Sequence, residues 1–545
     1  MLRTRLLPSL LVALISLIAA SLAMLPGVAF WDTGELQAVA PLMGTAHPTG
    51  FPTYVLLGWL ASVVLQPFGE PAFRLNLFSA LCVAVAAGFT VDLVHTLTGR
   101  VVLGIAAGIG LALTPIAWAV ATHAEAHSLH LALVAILLWL LVAWDGRVRP
   151  PANVIDKRAD AAQDVSTTTD GATAGKRGDR YLLAAALVFG LAVGNHSLTL
   201  LLAIPVGLYV LAVDPGIWRR GRLVLGCAAV LVATVVLVYL ELPLRAGPFR
   251  AALVYGTPNT WDGFRYIVLA EQFQGSLSNP FGDLPRKFGE LVGRTYTQFG
   301  ILAPLIPIAF VVTALRQPRY ALLTGSAAAI TCFFAASYVN ADINRYYLAP
   351  ALIAWTWLAI LAAAAIEVAA AAMGEPAAAT DTDGEGALGT APAAGRDASR
   401  TALIAVVVAI ALLVPTVFAA PARYRSVDAS RQHDAANWVN HVFKVMEPDA
   451  AILSWWSYST PLWYAQRVQG ERPDVAIIDD RTRLDENLGG LTETIDANLG
   501  KRPVYVIRLD RNEVAMLADR YDLEYIDGKD ASALTRVVGL KGAGS

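Results

Sequence analysis

The stretch FWDTGELQAVAPLMGTAHPTGFPTY, residues 30–54, is the most informative part of the chain for both its fold and its function. It places two carboxylates, Asp32 and Glu35, and one imidazole, His47, directly after the first apolar run. Charged groups beside a bilayer cost free energy and are usually functional. An apolar helix followed by an acidic pair and a turn rich in Pro and Gly therefore predicts a functional loop at a membrane surface.

The composition is that of a membrane protein. Of 545 residues, 56% are hydrophobic and 15% are charged, which lies outside the range of soluble domains. Repeated apolar runs of about 18 to 23 residues predict about eleven transmembrane helices. The net charge of −2 argues against a nucleic-acid partner. The three cysteines lie inside apolar runs, which favours neither a disulfide framework nor a metal site.

The predicted spans follow the apolar runs at 6–26, 73–95, 101–121, 127–144, 181–194, 198–213, 223–241, 296–315, 319–338, 346–368 and 401–420. Residues 1–26 also have the features of a signal peptide, but their apolar part is long, so we favour a retained first span. We place the short apolar segment 51–67 as a helix in the outer interface.

Lys and Arg in the short loops set the orientation. With a cytoplasmic N-terminus, the inner loops hold about twice as many Lys and Arg as the outer loops. Counting 51–67 as a full span would reverse that bias. We therefore expect a multi-pass protein of the plasma membrane whose first outer loop covers 27–72.

Two regions follow from this topology. Residues 1–420 form the predicted transmembrane domain, in which the polar stretches 150–180 and 371–400 are expected to be disordered inner loops. Residues 421–545 alternate strand-like and helix-like patterns, which predicts an extracytoplasmic α/β domain with a partly parallel sheet. The fold class is thus a polytopic α-helical membrane protein with a C-terminal α/β domain.

The unusual polar residues near the apolar runs share the outer side of this topology. They include Asp32, Glu35, His47, Glu125, His196, Arg245 and Arg345. This collection suits a lipid-anchored phosphate donor, because a guanidinium matches phosphate oxygens and a carboxylate can remove a proton from an acceptor hydroxyl. The leaving group would be the lipid phosphate, so that stabilisation of its charge lowers the rest of the barrier.

Several segments, in sequence order, resemble the family once catalogued as domain of unknown function 2723. They are WDTGELQAVAPLMGTAHPTGFPTY, HAEAHSLHLAL, GLAVGNHSLTLLL, LPLRAGPFRAALVYGTPNTWDGF and DAAILSWWSYSTPLWYAQRVQGERPDVAIID. The family is similar to the protein O-mannosyltransferases through the transmembrane protein 260 type. Two positions depart from its pattern: the family's E-V-Y is Glu125-Ala126-His127 here, and the tail has SWWSYST before PLWY.

The resemblance implies a GT-C-like fold and an inverting glycosyltransferase. It would transfer a sugar, mannose in the first instance, from a polyprenyl-phosphate donor to a hydroxyl of an exported protein or glycan on the extracytoplasmic face. By this analogy Asp32 is the catalytic base and Glu35 assists it or positions the acceptor. The remaining candidates, His47, Glu125, His196, Arg245 and Arg345, would bind substrate. The residues predict no particular cofactor, and they leave open whether a divalent metal ion is required.

Simpler interpretations stand beside these roles. Asp32 could cap a helix that begins near Gly34, and His196 could cap another. Arg245 and Arg345 could be interface anchors. The spacing of His123, Glu125 and His127 does not put all three on one helix face, which argues against a metal site. The alternative function is a transporter or lipid flippase, although those proteins usually show internal repeats and polar groups near the midplane.

Overall fold

The computed structural model describes residues 2–148, 170–340, 342–373, 393–528 and 532–542. The first half of the described chain is helical: α1 Leu2–Leu22, α2 Trp31–Leu42, α3 Pro52–Val64, α4 Pro71–Thr98, α5 Val101–Ala112, α6 Pro115–Val120, α7 Ala126–Val148, α8 Asp170–Asn195, α9 Ala203–Val213, α10 Gly221–Tyr239 and α11 Glu241–Ala246. Further helices are α12 Trp261–Val268, α13 Leu284–Phe299, α14 Leu305–Arg316, α15 Pro318–Ser337, α16 Leu348–Ala372 and α17 Ala393–Val427. Short 3₁₀ turns link several of them, including Ser197–Leu202 and Ile343–Tyr347.

Many of these helices are suited to a membrane. Within the described ranges, six are long and apolar enough to cross one: Pro71–Thr98, Ala126–Val148, Gly221–Ala246, Pro318–Ser337, Ile343–Ala372 and Ser399–Val427. Shorter apolar helices cover Leu6–Leu22, Pro52–Val64, Val101–Ala112 and Ser197–Val213. The number of spans and the orientation remain predictions.

Two predicted spans are not continuous helices. The span 101–121 divides into α5 and α6 at Leu113 and Thr114, because Pro115 disfavours helical backbone at the residue before it. The span 296–315 divides between Leu302 and Leu305, where the two helical pieces meet at 82°. The stretches predicted to be disordered lie mostly outside the described residues, but their described ends, from Asp170 and from Ala393, are helical.

Helix α4 is the centre of the helical bundle and packs against α1, α5 and α7. Small residues permit the close approach of α5. A Cβ at Gly104 would lie 2.5 Å from the Val91 carbonyl oxygen, and one at Gly108 would lie 2.8 Å from the Ala87 carbonyl oxygen. Close backbone approach at small residues is how helices associate without a hydrophobic driving force.

The C-terminal region contains α18 Asp434–Val445, β1 Ala451–Ser454, α19 Trp456–Trp463, β2 Ala476–Asp479, α20 Asp480–Asp485, α21 Leu491–Asn498, β3 Val504–Ile507, α22 Arg511–Arg520, β4 Tyr521–Tyr525 and β5 Thr535–Leu540. The strand order is β2-β1-β3-β5-β4, and β1 is parallel to β2 and β3 while β5 is antiparallel to β3 and β4. The predicted partly parallel sheet is confirmed. The predicted domain boundary at residue 421 lies inside α17.

The sheet region packs directly on the first outer segment. Helix α19 contacts α2, and the Tyr464 hydroxyl accepts a hydrogen bond of 3.0 Å from the Ala72 backbone N–H. Phe30 makes edge contacts with the rings of Trp438 and Tyr458. The two regions therefore meet next to Asp32 and Glu35.

Candidate active site

Helix α2 presents the acidic pair, and its start is fixed by close packing. The helix begins at Trp31, and Phe30 at its N-cap makes no side-chain hydrogen bond to it. The interpretation of Asp32 as the cap of a helix that starts near Gly34 is therefore wrong. A Cβ at Gly34 would lie 2.1 Å from the Ala29 carbonyl oxygen and 2.8 Å from Thr460 Oγ1, so only glycine allows α19 to approach here.

Arg345 gathers the carboxylates of three separate segments. Its Nη1 donates to Glu125 Oε2 at 2.5 Å, and its Nη2 lies 2.9 Å from Asp32 Oδ2 and 2.9 Å from Asp342 Oδ2. The Arg345 side chain is 16% exposed, that of Asp32 31% and that of Glu125 only 3%. Asp32 is thus held in place by a guanidinium yet stays open to solvent.

Glu125 is the buried anchor of this cluster. Its Oε1 accepts hydrogen bonds from the His127 backbone N–H at 3.2 Å and contacts His127 Nδ1 at 2.8 Å. Burial alone would raise the pKa of the Glu125 carboxyl, but Arg345 and His127 outweigh it and hold that pKa well below its usual range. Glu125 therefore stays ionised and fixes Arg345. The His127 ring stacks on Tyr346 at 5.5 Å between centroids.

Glu35 is paired with His47 and not with Arg345. Its Oε1 accepts a hydrogen bond from the His47 backbone N–H at 3.0 Å, and its Oε2 contacts His47 Nδ1. The Glu35 side chain is 1% exposed. Burial lowers the pKa of His47, but the charge and hydrogen bond of Glu35 raise it by more, to about 9. His47 is therefore a cation at neutral pH, and Asp32 adds to the field that keeps it so.

Two of the predicted substrate-binding residues have structural partners. His196 accepts a hydrogen bond of 3.1 Å from the Leu198 backbone N–H through Nδ1, which is the capping interpretation. Arg245 donates from Nε to the Met43 carbonyl at 2.7 Å and from Nη2 to the Leu42 carbonyl at 2.9 Å. It therefore donates hydrogen bonds to carbonyl oxygens at the C-terminal end of α2, which have no donor within the helix.

The structure adds a residue that the sequence reasoning missed, Arg294 on α13. Its guanidinium donates to Asn344 Oδ1 and lies 5.6 Å from the centroid of the Tyr347 ring. In the described part of the chain it forms no ion pair with a carboxylate. It borders an apolar cavity of about 360 Å³ whose walls include Phe299, Phe310, Cys332, Ala351 and Trp357. No motif signals Arg294, because its place depends on how α13 packs beside Tyr347.

The described residues contain no group of three or more His, Cys, Asp or Glu side chains arranged to hold a metal ion. His123 contacts Thr122 Oγ1 at 3.1 Å through Nδ1, while His127 faces Glu125. The geometry thus shows a carboxylate cluster around a guanidinium, an imidazolium paired with a second carboxylate, and an apolar cavity bordered by Arg294 and Tyr347.

The fold class is that of the membrane-embedded GT-C glycosyltransferases, and the resemblance in fold spans nearly the whole chain. ArnT from Cupriavidus metallidurans, in its crystal structure bound to undecaprenyl phosphate, superposes with a TM-score of 0.56 at 15% identity over 98% of both chains. This likeness concerns the fold alone. The predicted GT-C-like architecture with a C-terminal sheet region is confirmed.

The N-terminal part of the chain also resembles one family in sequence. Residues 32–216 match the protein O-mannosyl-transferase TMEM260 N-terminal domain. The Protein O-mannosyl-transferase TMEM260 of Mus musculus is 37% identical over 114 residues, and that of Dictyostelium discoideum is 28% identical over 130 residues. These segments are 21% and 24% of this chain and 16% of each relative's length. The predicted resemblance to the transmembrane protein 260 type is therefore confirmed.

Proposed function

We propose that this membrane protein is an inverting glycosyltransferase that moves a sugar from a polyprenyl-phosphate donor to a hydroxyl of an exported protein. The sugar that we propose is mannose. The main observation in support is the Arg345 cluster, in which a partly open carboxylate is held by a guanidinium that is itself anchored on buried Glu125. A base must be oriented and accessible, and Asp32 meets both requirements, because Arg345 holds it and its side chain is 31% exposed.

The apolar cavity beside Arg294 supports a lipid donor. A prenyl chain would fill the space between α13, α14, α15 and α16, and its phosphate would lie at the Arg294 end. Arg345 is a poorer phosphate ligand than the sequence suggested, because Asp32, Glu125 and Asp342 already surround it. The cationic His47 ring is a further positive group, close enough to Asp32 and Arg345 for their charges to shift its pKa.

In the proposed step, an Asp32 oxygen takes the proton of the acceptor hydroxyl while the hydroxyl oxygen attacks the anomeric carbon. The bond between that carbon and the phosphate oxygen breaks, and the phosphate leaves with the electron pair. Attack opposite the leaving group inverts the anomeric centre. No general acid is needed, since the lipid phosphate leaves as an anion stabilised by nearby cations.

The proposed orientation keeps the N-terminus in the cytoplasm and the sheet region outside, in the plasma membrane. A single cysteine introduced at position 262, where the side chain is 89% exposed, would then react with an impermeant thiol reagent in intact cells, and one introduced at position 165 would not. Both variants are made in a background without Cys82, Cys227 and Cys332. The reverse pattern of labelling would contradict this orientation and place the proposed reaction in the cytoplasm.

The activity is tested by incubating the purified full-length protein with radiolabelled polyprenyl-phosphate mannose and a protein rich in exposed Ser and Thr. Transfer of label to the protein supports the proposal. Absence of transfer with any polyprenyl-phosphate sugar donor would contradict it. Movement of the lipid between leaflets without transfer would favour the flippase alternative instead. Repeating the assay with EDTA decides metal dependence, which the residues leave open.

A further inference from the structure

A second cavity, of about 340 Å³, lies between the sheet region and the segment that follows α11. Its walls include Thr45, Ala252, Tyr255, Asp479 and Arg481, and Glu35 also borders it. In contrast to the cavity beside Arg294, it is lined mainly by polar groups. We call this space the polar cleft. Through Glu35 it adjoins the helix that carries Asp32.

Each side of the polar cleft contains extended backbone. On one side, residues 253–255 run beside Thr45: the Thr45 N–H donates to the Leu253 carbonyl at 3.2 Å and the Tyr255 N–H donates to the Thr45 carbonyl at 3.1 Å. On the other side is β2, which is an edge strand of the sheet because β1 is the only described strand that pairs with it. Extended peptides commonly bind by adding to such an edge.

Asp479, at the end of β2, has an unused acceptor inside the polar cleft. The residue is 1% exposed. Its Oδ1 accepts from the Thr482 backbone N–H at 2.7 Å and from Thr482 Oγ1 at 2.6 Å, whereas its Oδ2 is buried and has no hydrogen-bond partner among the described residues. A buried carboxylate oxygen without a donor is costly, and burial raises the pKa of Asp479.

Arg481 offers the complementary unused donor. Its Nη2 pairs with Asp485 Oδ1 at 2.5 Å, and its guanidinium lies 5.1 Å from the Tyr255 ring centroid and 4.8 Å from that of Tyr266. Its Nε is buried and has no partner in the described structure. A fixed acceptor and a fixed donor two positions apart in the chain match the N–H and C=O groups of an extended polypeptide.

We infer that the polar cleft binds an extended segment of the acceptor polypeptide and directs its Ser or Thr hydroxyl toward Asp32. Asp479 Oδ2 accepts a backbone N–H of that segment and Arg481 Nε donates to one of its carbonyls. The inference rests on the proposed function, because it assumes that the hydroxyl of the bound peptide is the group that accepts the sugar. Peptide binding by the cleft can be measured without any transfer.

The test measures binding of a fluorescein-labelled peptide of about ten alternating Val and Thr residues to the full-length protein in detergent, by fluorescence anisotropy. Asp479→Asn keeps the oxygen that caps α20 but replaces the free oxygen with a donor, so we expect affinity to fall about tenfold or more. Ala252→Trp fills the cleft from an exposed position without removing a side-chain contact and should weaken binding similarly.

The matched control is Asp522→Asn on β4, at the opposite edge of the sheet, where the side chain is exposed. Its peptide affinity should equal that of the wild type. Wild-type affinity in both Asp479→Asn and Ala252→Trp would overturn the inference. So would binding of mannose oligosaccharides in the cleft by a protein that fails to bind the peptide. If the wild type binds the peptide through Asp479 but transfers no sugar, the proposed function fails and the peptide site remains.

Discussion

Asp32 and Glu35 stand three positions apart on one helix, and the fold holds them in opposite ways. The Asp32 carboxylate shares one Arg345 nitrogen with Asp342 and remains partly exposed, whereas Glu35 is buried with both oxygens bound by His47. A carboxylate with free capacity can accept a proton from a substrate. A carboxylate whose two oxygens already have hydrogen-bond partners instead holds the loop in its conformation. We therefore propose that Asp32 takes part in the chemistry and that Glu35 holds the loop in place.

The largest expected effect comes from Asp32→Asn, which tests the chemical half of this comparison. The amide keeps the size of the side chain but cannot take up a proton, so sugar transfer should fall by about 10³-fold, within the usual contribution of a general base. The assay is transfer from radiolabelled polyprenyl-phosphate mannose at saturating acceptor, with KM for the donor nearly unchanged.

Asp262→Asn is the control, because the Asp262 side chain is 89% exposed and, within the described ranges, its ion pair is with Arg265 alone. It should retain wild-type transfer. Wild-type turnover in Asp32→Asn would remove Asp32 from the mechanism and leave Glu35 as the carboxylate to test.

The structural role of the Glu35–His47 pair predicts that the stability of the fold depends on pH. The pKa of His47 rises from 6.5 to about 9 on folding, so the Glu35–His47 pair stabilises the fold fully below pH 6.5 and loses its contribution as the pH rises through 9. A shift of this size corresponds to about 3 kcal/mol. Thermal unfolding of the detergent-solubilised protein from pH 6 to pH 10 should show this loss.

The matched variant is Glu35→Gln, which removes the charge that raises the pKa of His47. It should be less stable than the wild type at pH 7, and the difference should nearly vanish at pH 10. An unchanged difference across the range would show that the ion pair does not stabilise the loop.

Arg345→Lys separates the guanidinium geometry from its charge. Lysine cannot reach Glu125 and Asp32 with two fixed nitrogens, so one charge-assisted hydrogen bond is lost. The loss is worth about 2 kcal/mol, which lowers kcat about 30-fold with little change in donor KM. A rise in donor KM with unchanged kcat would instead show that Arg345 binds the phosphate. The conservative control is Arg265→Lys, in an arginine that is 49% exposed.

The sequence predicted the elements better than the contacts. Apolar periodicity located α4, α7, α15 and α16 to within a few residues, and the strands of the parallel part of the sheet followed from short buried runs. The breaks at Leu113 and near Pro304 were missed, because a run of apolar residues looks the same whether its helix is continuous or broken. Only the local backbone around proline distinguishes the two cases.

The candidate residues were predicted to share one side, and the structure brings Asp32, Glu125 and Arg345 into contact. Their pairing could not be predicted, since 220 residues separate Glu125 from Arg345 and nothing in the local pattern specifies the partner of either. The same reasoning treated Arg245 and Arg345 alike. Tertiary packing separates them, because Arg345 binds side-chain carboxylates and Arg245 binds backbone carbonyls.

The difference between the arginines leads to the smallest expected effect. Arg245→Gln removes donors from the Leu42 and Met43 carbonyls, which water can partly replace, so stability should fall by about 1 kcal/mol. Donor KM should stay at the wild-type value, because the lost contacts fix the end of α2 and not the lipid. Arg294→Gln is the matched comparison at the apolar cavity, and there donor KM should rise about tenfold with little loss of stability. If Arg245→Gln raised donor KM as much as Arg294→Gln, the phosphate would lie near the end of α2, and the proposed path of the prenyl chain between α13 and α16 would be wrong.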